Sequence, residues 1–77
     1  FSFQNGNIIL TMKNTIKVER ARKNLTQAEL AEKIGVSRQA VNSIETGRFV
    51  PSTVLALKMA KVFGTTVEVV FQLEEED

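Results

Sequence analysis

Residues 25–48 read LTQAELAEKIGVSRQAVNSIETGR, and this stretch decides the fold. Thr26 and Glu29 have the spacing of a capping box, in which each side chain satisfies a free backbone N–H of the other residue. The helix that starts there carries Leu30, Ala31 and Ile34 inward. It stops at Gly35, because glycine accepts the positive φ of a helix end. Ser37 caps a second helix in which Ala40, Val41 and Ile44 recur at three and four residues. That spacing leaves Arg38, Gln39, Asn42 and Ser43 toward the other side, and Gly47 ends the helix. The connection Ile34-Gly35-Val36-Ser37 is too short for antiparallel packing and predicts two steeply angled helices, a helix-turn-helix. The second helix of such a pair can enter the major groove of DNA, its first residues facing the base edges.

Outward from this pair the punctuation stays regular. A helix over about 15–23 places Ile16, Arg20 and Lys23 on related faces, and Asn24-Leu25 breaks it. Pro51-Ser52 marks another start, and Leu55, Ala56, Met59, Ala60 and Phe63 form the apolar stripe of a fourth helix that Gly64 stops. Residues 67–73, VEVVFQL, fit a strand alternation and a one-turn helix equally well. The preferred reading is a short fifth helix at about 66–71 with an extended tail beyond. The fold class is therefore all-α, five helices around a central helix-turn-helix.

Three segments follow. Residues 1–11, FSFQNGNIILT, carry no charge, lack the basic start of a signal peptide and are too short and polar to span a bilayer. They read as a leader foreign to the natural protein, with Met12 as its first residue, or as a disordered arm. A hairpin turning at Asn5-Gly6 is the rival reading. Residues 12–73 form the helix-turn-helix domain, and residues 74–77 an acidic, solubilising tail.

Composition excludes most chemistry. With 43% hydrophobic and 25% charged residues, the chain is neither disordered by composition nor a membrane protein. There is no cysteine and no histidine, and the single aspartate is Asp77. No disulfide, thiolate or imidazole metal site, Ser-His-Asp or Cys-His arrangement can be built, so neither an enzyme nor a cofactor is expected. The net charge of +1 conceals an asymmetry, because residues 74–77 hold four of the nine acids. The rest of the chain carries +5, which suits a nucleic-acid binder and equally many ordinary domains.

The residues Thr26-Gln27 with Leu30-Ala31, then Gly35-Val36-Ser37, then Ile44-Glu45 and Gly47 resemble the Xre-type helix-turn-helix regulators, the lambdoid phage repressor and Cro class. Pro51-Ser52, the run 57–63 and the tail 71–77 resemble small bacterial members of that family. The similarity covers about residues 13–77 in one register. It implies a compact lambda-repressor-like domain that binds double-stranded DNA as a cytoplasmic transcriptional regulator. Such a regulator is expected to be a repressor, acting as a homodimer on a pseudo-palindromic operator. The competing class is an antitoxin-type protein-interaction module whose DNA binding serves autoregulation.

The resemblance also implies roles. Arg38 and Gln39 fall where family members read bases. Their chemistry suits it, since Arg pairs bidentately with guanine O6 and N7, and Gln with adenine N6 and N7. Read alone, they are two solvated polar residues opposite a core stripe. Asn42 and Ser43 lie one turn further along and are shorter, open to bases or phosphates. Gln27 is expected on a phosphate, although by itself it is simply a good first-turn residue. Ser37 is a helix cap whose hydroxyl can also meet a phosphate, Arg48 matches a backbone-gripping position, and Lys13 is the surface lysine best placed to join them. Arg20 and Glu45 resemble a family pair that joins the first and third helices by a buried salt bridge. Dimer contacts are expected from Phe71 and Leu73, because little core remains for them, whereas Val67 and Val70 close the core.

Overall fold

Side-chain caps set the starts of three of the five helices. The computed structural model describes residues 11–74, in the order β1 (Thr11–Asn14), α1 (Ile16–Lys23), α2 (Gln27–Ile34), α3 (Arg38–Glu45), α4 (Thr53–Phe63), α5 (Val67–Val70) and β2 (Phe71–Glu74). At the head of α2, the Glu29 N–H donates to Thr26 Oγ1 at 3.0 Å and the Thr26 N–H to Glu29 Oε1 at 2.8 Å. Ser37 Oγ accepts from the Ala40 N–H, and Ser52 Oγ from the Leu55 N–H, both at 3.1 Å. Helix α2 ends at Gly35 with φ 80°, where the Gly35 and Val36 N–H groups both donate to the Ala31 carbonyl. A residue with a Cβ would be strained in that left-handed turn, and the turn aims the chain into α3.

The apolar stripes meet in one core. Ile16, Leu30, Ala31, Ile34, Val41, Ile44, Ala56, Met59, Phe63, Val70 and Phe71 are buried together, with Met12, Leu25, Val36, Leu55, Val62 and Val67 packed around them. Ala40, on the first turn of α3, is only half-buried and lies at the margin.

The segment left open between strand and helix uses both. Helix α5 occupies one turn, and at Phe71 the backbone becomes extended, with φ −127° and ψ 133°. Strand β2 then pairs antiparallel with β1 in the register Asn14↔Phe71, Lys13↔Gln72, Met12↔Leu73, Thr11↔Glu74. The five-helix body thus carries a two-stranded ribbon, which reaches one residue past the expected 12–73 unit at each end. The rest of the expected leader, its hairpin alternative at Asn5-Gly6, and tail residues 75–77 lie outside the described residues.

The ribbon corrects the reading of Phe71. Pairing with β1 turns this side chain onto the helices, where it is 7% exposed and part of the core, so it closes the core instead of standing out as a contact of its own. Val70 is fully buried, and Val67 packs against the core. Leu73, two residues further along the strand, is 67% exposed.

The ribbon is also tied to its neighbours by polar groups. The Thr15 N–H donates to the Val70 carbonyl at 2.9 Å, and Thr15 Oγ1 donates to the Val69 carbonyl at 3.0 Å. Asn14 Oδ1 accepts from the Ile16 N–H at 3.1 Å, while its Nδ2 donates to the carbonyls of Ile44 and Glu45 at 3.1 and 3.3 Å. One asparagine therefore starts α1 and holds the far end of α3. Truncating Phe71 to Ala should cost roughly 3–5 kcal/mol, as for other buried Phe side chains, and Leu73→Ala less than about 0.5 kcal/mol, as for other surface substitutions. Denaturant melts of the two variants check this, and equal losses would contradict the burial of Phe71.

Candidate nucleic-acid interface

Helix α3 turns two different sides to its surroundings. Val41 and Ile44 are buried, whereas Arg38 and Gln39 are exposed on the first turn and Asn42 and Ser43 half-exposed on the next. Ser37, Gln39, Ala40, Ser43, Arg48 and Phe49 line one shallow concavity. The loop behind it is folded back onto the helix. Thr46 Oγ1 donates to the Asn42 carbonyl at 2.8 Å, and the Arg48 and Phe49 N–H groups donate to the Ser43 carbonyl at 2.8 and 3.2 Å. Arg48 is thereby held beside the polar side of α3. Lys13 is exposed on the ribbon, next to the Asn14 that grips the last turn of α3.

The inner end of this surface is a polar junction. Arg20 Nη2 lies 2.7 Å from Glu45 Oε2 and its Nε donates to Glu45 Oε1 at 3.3 Å, the two side chains being 16% and 8% exposed. The remaining guanidinium nitrogen donates to the Leu25 carbonyl at 2.9 Å, which fixes the α1–α2 loop. Gln27 Nε2 donates to Glu45 Oε1 at 3.0 Å and to Asn42 Oδ1 at 3.1 Å. Side chains from α1 and α2 thus converge on one carboxylate of α3, and Arg20 ties in the loop between the first two helices. Burial pushes the Glu45 carboxyl up, but hydrogen bonds from Arg20 and Gln27, with the charges of Arg20 and Lys17, outweigh it and hold the group below its ordinary value. Glu29 is also held low, first by the Thr26 backbone N–H and then by the Thr26 hydroxyl.

This junction gives Gln27 partners within the protein. Its amide nitrogen has two hydrogens, and both have acceptors there, one in Glu45 and one in Asn42. The donors left there are the first backbone N–H groups of α2, which no helix can satisfy internally. Two features escaped the sequence reading. Asn14 was not singled out, although an Asn just before a helix is a common turn former. Phe49, Val50, Val54 and Leu57 are each more than half exposed, and the signal was the uncharged run FVPSTVLAL at 49–57. Among the described residues no cluster of His, Cys, Asp or Glu is placed to hold a metal.

Two capped helices joined by a glycine turn, the second with its polar side outward, define a helix-turn-helix domain. The helix-turn-helix family model HTH_3 matches residues 16–70. The chain belongs to this Cro/C1-type helix-turn-helix family. It is similar to YgzD of Bacillus subtilis, an uncharacterised HTH-type transcriptional regulator, with 52% identity over 66 residues, covering 86% of this chain and all of that one. An uncharacterised HTH-type transcriptional regulator of Methanocaldococcus jannaschii is 50% identical over 66 residues, again covering 86% of this chain and all of the relative. Among solved structures, a Bacteroides fragilis protein provisionally described as DNA-binding superposes with TM-score 0.72 and 28% identity, covering 79% of this chain and 98% of that one.

Removing one side of a pair as enclosed as Arg20–Glu45 costs roughly 3 kcal/mol, because the partner charge is left desolvated. Glu45→Ala should therefore lower the melting temperature by on the order of 12 °C or more, and Arg38→Ala should scarcely move it. Equal losses would contradict this division. The acid response has a defined sign. A carboxylate held low in the folded state contributes stability that is fully present above its unfolded value and is lost as pH falls through the folded one. Melts between about pH 6 and about pH 3 should show a smaller acid loss in Glu45→Gln than in the unmodified chain.

Proposed function

We propose that this chain is a sequence-specific DNA-binding transcriptional regulator, in which α3 enters the major groove and Arg38 and Gln39 read base edges. The observation that carries this reading is the mounting of α3. Its apolar side is buried, its end is locked at Glu45, and its polar first turn stands free with a guanidinium and an amide at the surface. Ser43 and Asn42 lie one turn further in. Ser37, Arg48, Lys13 and the first N–H groups of α2 contact phosphates, positioning the helix without carrying sequence information. The action as a repressor rests on the family resemblance. No described helix is long and apolar enough to cross a membrane, and a DNA-bound regulator of this kind works in the cytoplasm.

One copy covers one half-site, so the operator is pseudo-palindromic and the active form is a two-fold dimer. With Phe71 inside the core, the pairing surface is the uncharged one beside the α3 loop. Val50, Val54 and Leu57 are exposed there, around a groove of about 240 Å³ whose lining is apolar apart from Thr53 and includes Met12, Val50, Pro51, Leu57 and Val67. A two-fold contact through the run 49–57 brings no like charges together. Leu73, exposed at the ribbon next to Met12, borders the same face. The groove also favours a second reading, an antitoxin-type module that holds a different protein there.

Selection of duplex sites from a random pool, repeated at two salt concentrations, tests the DNA reading. It should return a two-fold symmetric sequence with half-sites about one helical turn apart. Arg38→Ala should cost about 1–3 kcal/mol at one base position, and Arg48→Ala should weaken all sequences alike and lower the salt slope. Absence of any preferred sequence would refute the proposal. Sedimentation of Leu57→Asp should show a monomer where the unmodified chain is a dimer. An unmodified chain that is itself monomeric would turn the groove over to the antitoxin reading.

A further inference from the structure

The exposed side of α3 includes carbon as well as polar atoms. Ser37, Gln39, Ala40, Ser43, Arg48 and Phe49 enclose a shallow concavity of about 310 Å³. Gln39 and Ser43 are four residues apart, and Ala40 and Ser43 three, so the three lie together on one strip of the helix. Phe49 joins them from the following loop, where its N–H and that of Arg48 donate to the Ser43 carbonyl at 3.2 and 2.8 Å. These bonds hold the Phe49 backbone beside α3, yet its ring is 55% exposed and has no part in the core. The polar groups around the concavity can each pair with DNA. The Phe49 ring and the Ala40 methyl cannot, and polar atoms of a base pressed against them would lose water without gaining a partner. Only one group on the major-groove edges of the bases escapes that cost. Adenine, guanine and cytosine present donors and acceptors there, whereas thymine adds a methyl at C5.

We propose that this concavity receives the C5 methyl of a pyrimidine, and that Phe49 determines specificity from outside the reading helix. This rests on the reading of the chain as a sequence-specific DNA-binding protein whose α3 lies in the major groove. The methyl settles against the Phe49 ring and Ala40, and the Ser43 hydroxyl meets the group at C4 of the same base. A hydroxyl both donates and accepts, so it serves the oxygen of thymine and the amino group of cytosine alike. The methyl, and not that hydrogen bond, therefore decides the preference. Thymine is favoured over cytosine at this position, and 5-methylcytosine is accepted in its place. Binding at such a site responds to cytosine methylation.

The test uses the full chain and its selected duplex. Each thymine of a half-site is replaced in turn by deoxyuridine, which lacks only the methyl. Every position that loses affinity is then also made cytosine and 5-methylcytosine. Burying one such carbon is worth about fourfold in affinity, or about 0.8 kcal/mol. At one position, thymine over deoxyuridine and 5-methylcytosine over cytosine should both show that ratio in the unmodified chain. Both preferences should vanish in Phe49→Ala and persist in Phe49→Leu, with the melting temperature nearly unchanged, as for other surface substitutions. A dimer weakened by the loss of Phe49 would lower affinity for every duplex alike, so a change of ratio reports the methyl contact itself. Equal binding of thymine and deoxyuridine at every position, a methyl effect confined to one of the two pairs, or ratios that survive in Phe49→Ala would each overturn the proposal. So would a Phe49→Ala loss uniform across all sequences, which would place the ring on the sugar–phosphate backbone. These outcomes leave the DNA reading intact, and only a chain without any sequence preference would remove both.

Discussion

Glu45 is the last residue of α3, where unpaired carbonyls already concentrate negative partial charge and a carboxylate is unwelcome. Its presence makes sense only through what it gathers. Arg20 comes from α1 and Gln27 from α2, while Asn14 from β1 donates to the backbone carbonyls of Ile44 and Glu45. An eight-residue helix is too short to be stable alone, and α3 buries only Val41 and Ile44 fully. Two apolar side chains restrain a helix loosely in rotation about its own axis. Directional bonds from three other elements remove that freedom. Apolar residues in place of the Arg20–Glu45 pair could be as stable, but they would leave the rotation of α3, and the aim of Arg38 and Asn42, unspecified.

The same junction explains why the two sides of α3 are not independent. Gln27 touches Glu45 on the protected side and Asn42 on the exposed one, so a charge pair behind the helix is felt at its outer edge. At the opposite end the Ser37 cap holds the first turn, and behind the helix the Thr46, Arg48 and Phe49 bonds tie the following loop to it. The exposed polar residues are thus mounted on a segment restrained at both ends. That is what discrimination by short, angle-dependent hydrogen bonds requires.

How much of this was legible depended on sequence separation. Caps at Thr26, Ser37 and Ser52 and the stops at Gly35 and Gly64 could be read because each acts within about four residues. The apolar stripes follow from helical period alone, so the helix-turn-helix was visible from spacing. Nothing local marks the ribbon. Its strands are four residues each and lie about sixty residues apart, and VEVVFQL satisfies two periodicities at once. Phe71 was misread for that reason, since without β1 opposite it there is no core for it to enter. Gln27 was recognised as important, but its partners stand 15 and 18 residues further on, and only the fold shows that both its hydrogens are spent on them. Arg20 and Glu45, 25 residues apart, could be paired only by resemblance.

One short loop joins the surface proposed for pairing to the helix proposed to read bases. Arg48 and Phe49 are bonded to the Ser43 carbonyl of α3, and the next residues, Val50 to Leu57, carry the uncharged surface proposed to meet a second copy. Pro51 is buried and Ser52 caps α4, so this connection has little freedom of its own. A contact made at Val50, Val54 and Leu57 would therefore be made by the same rigid unit that carries Arg38 and Gln39. The distance between two reading helices would be set by folded geometry instead of by a linker, and an operator with half-sites spaced one base pair wrongly would cost twist and contacts together. Spacing would then contribute to specificity alongside the base edges themselves.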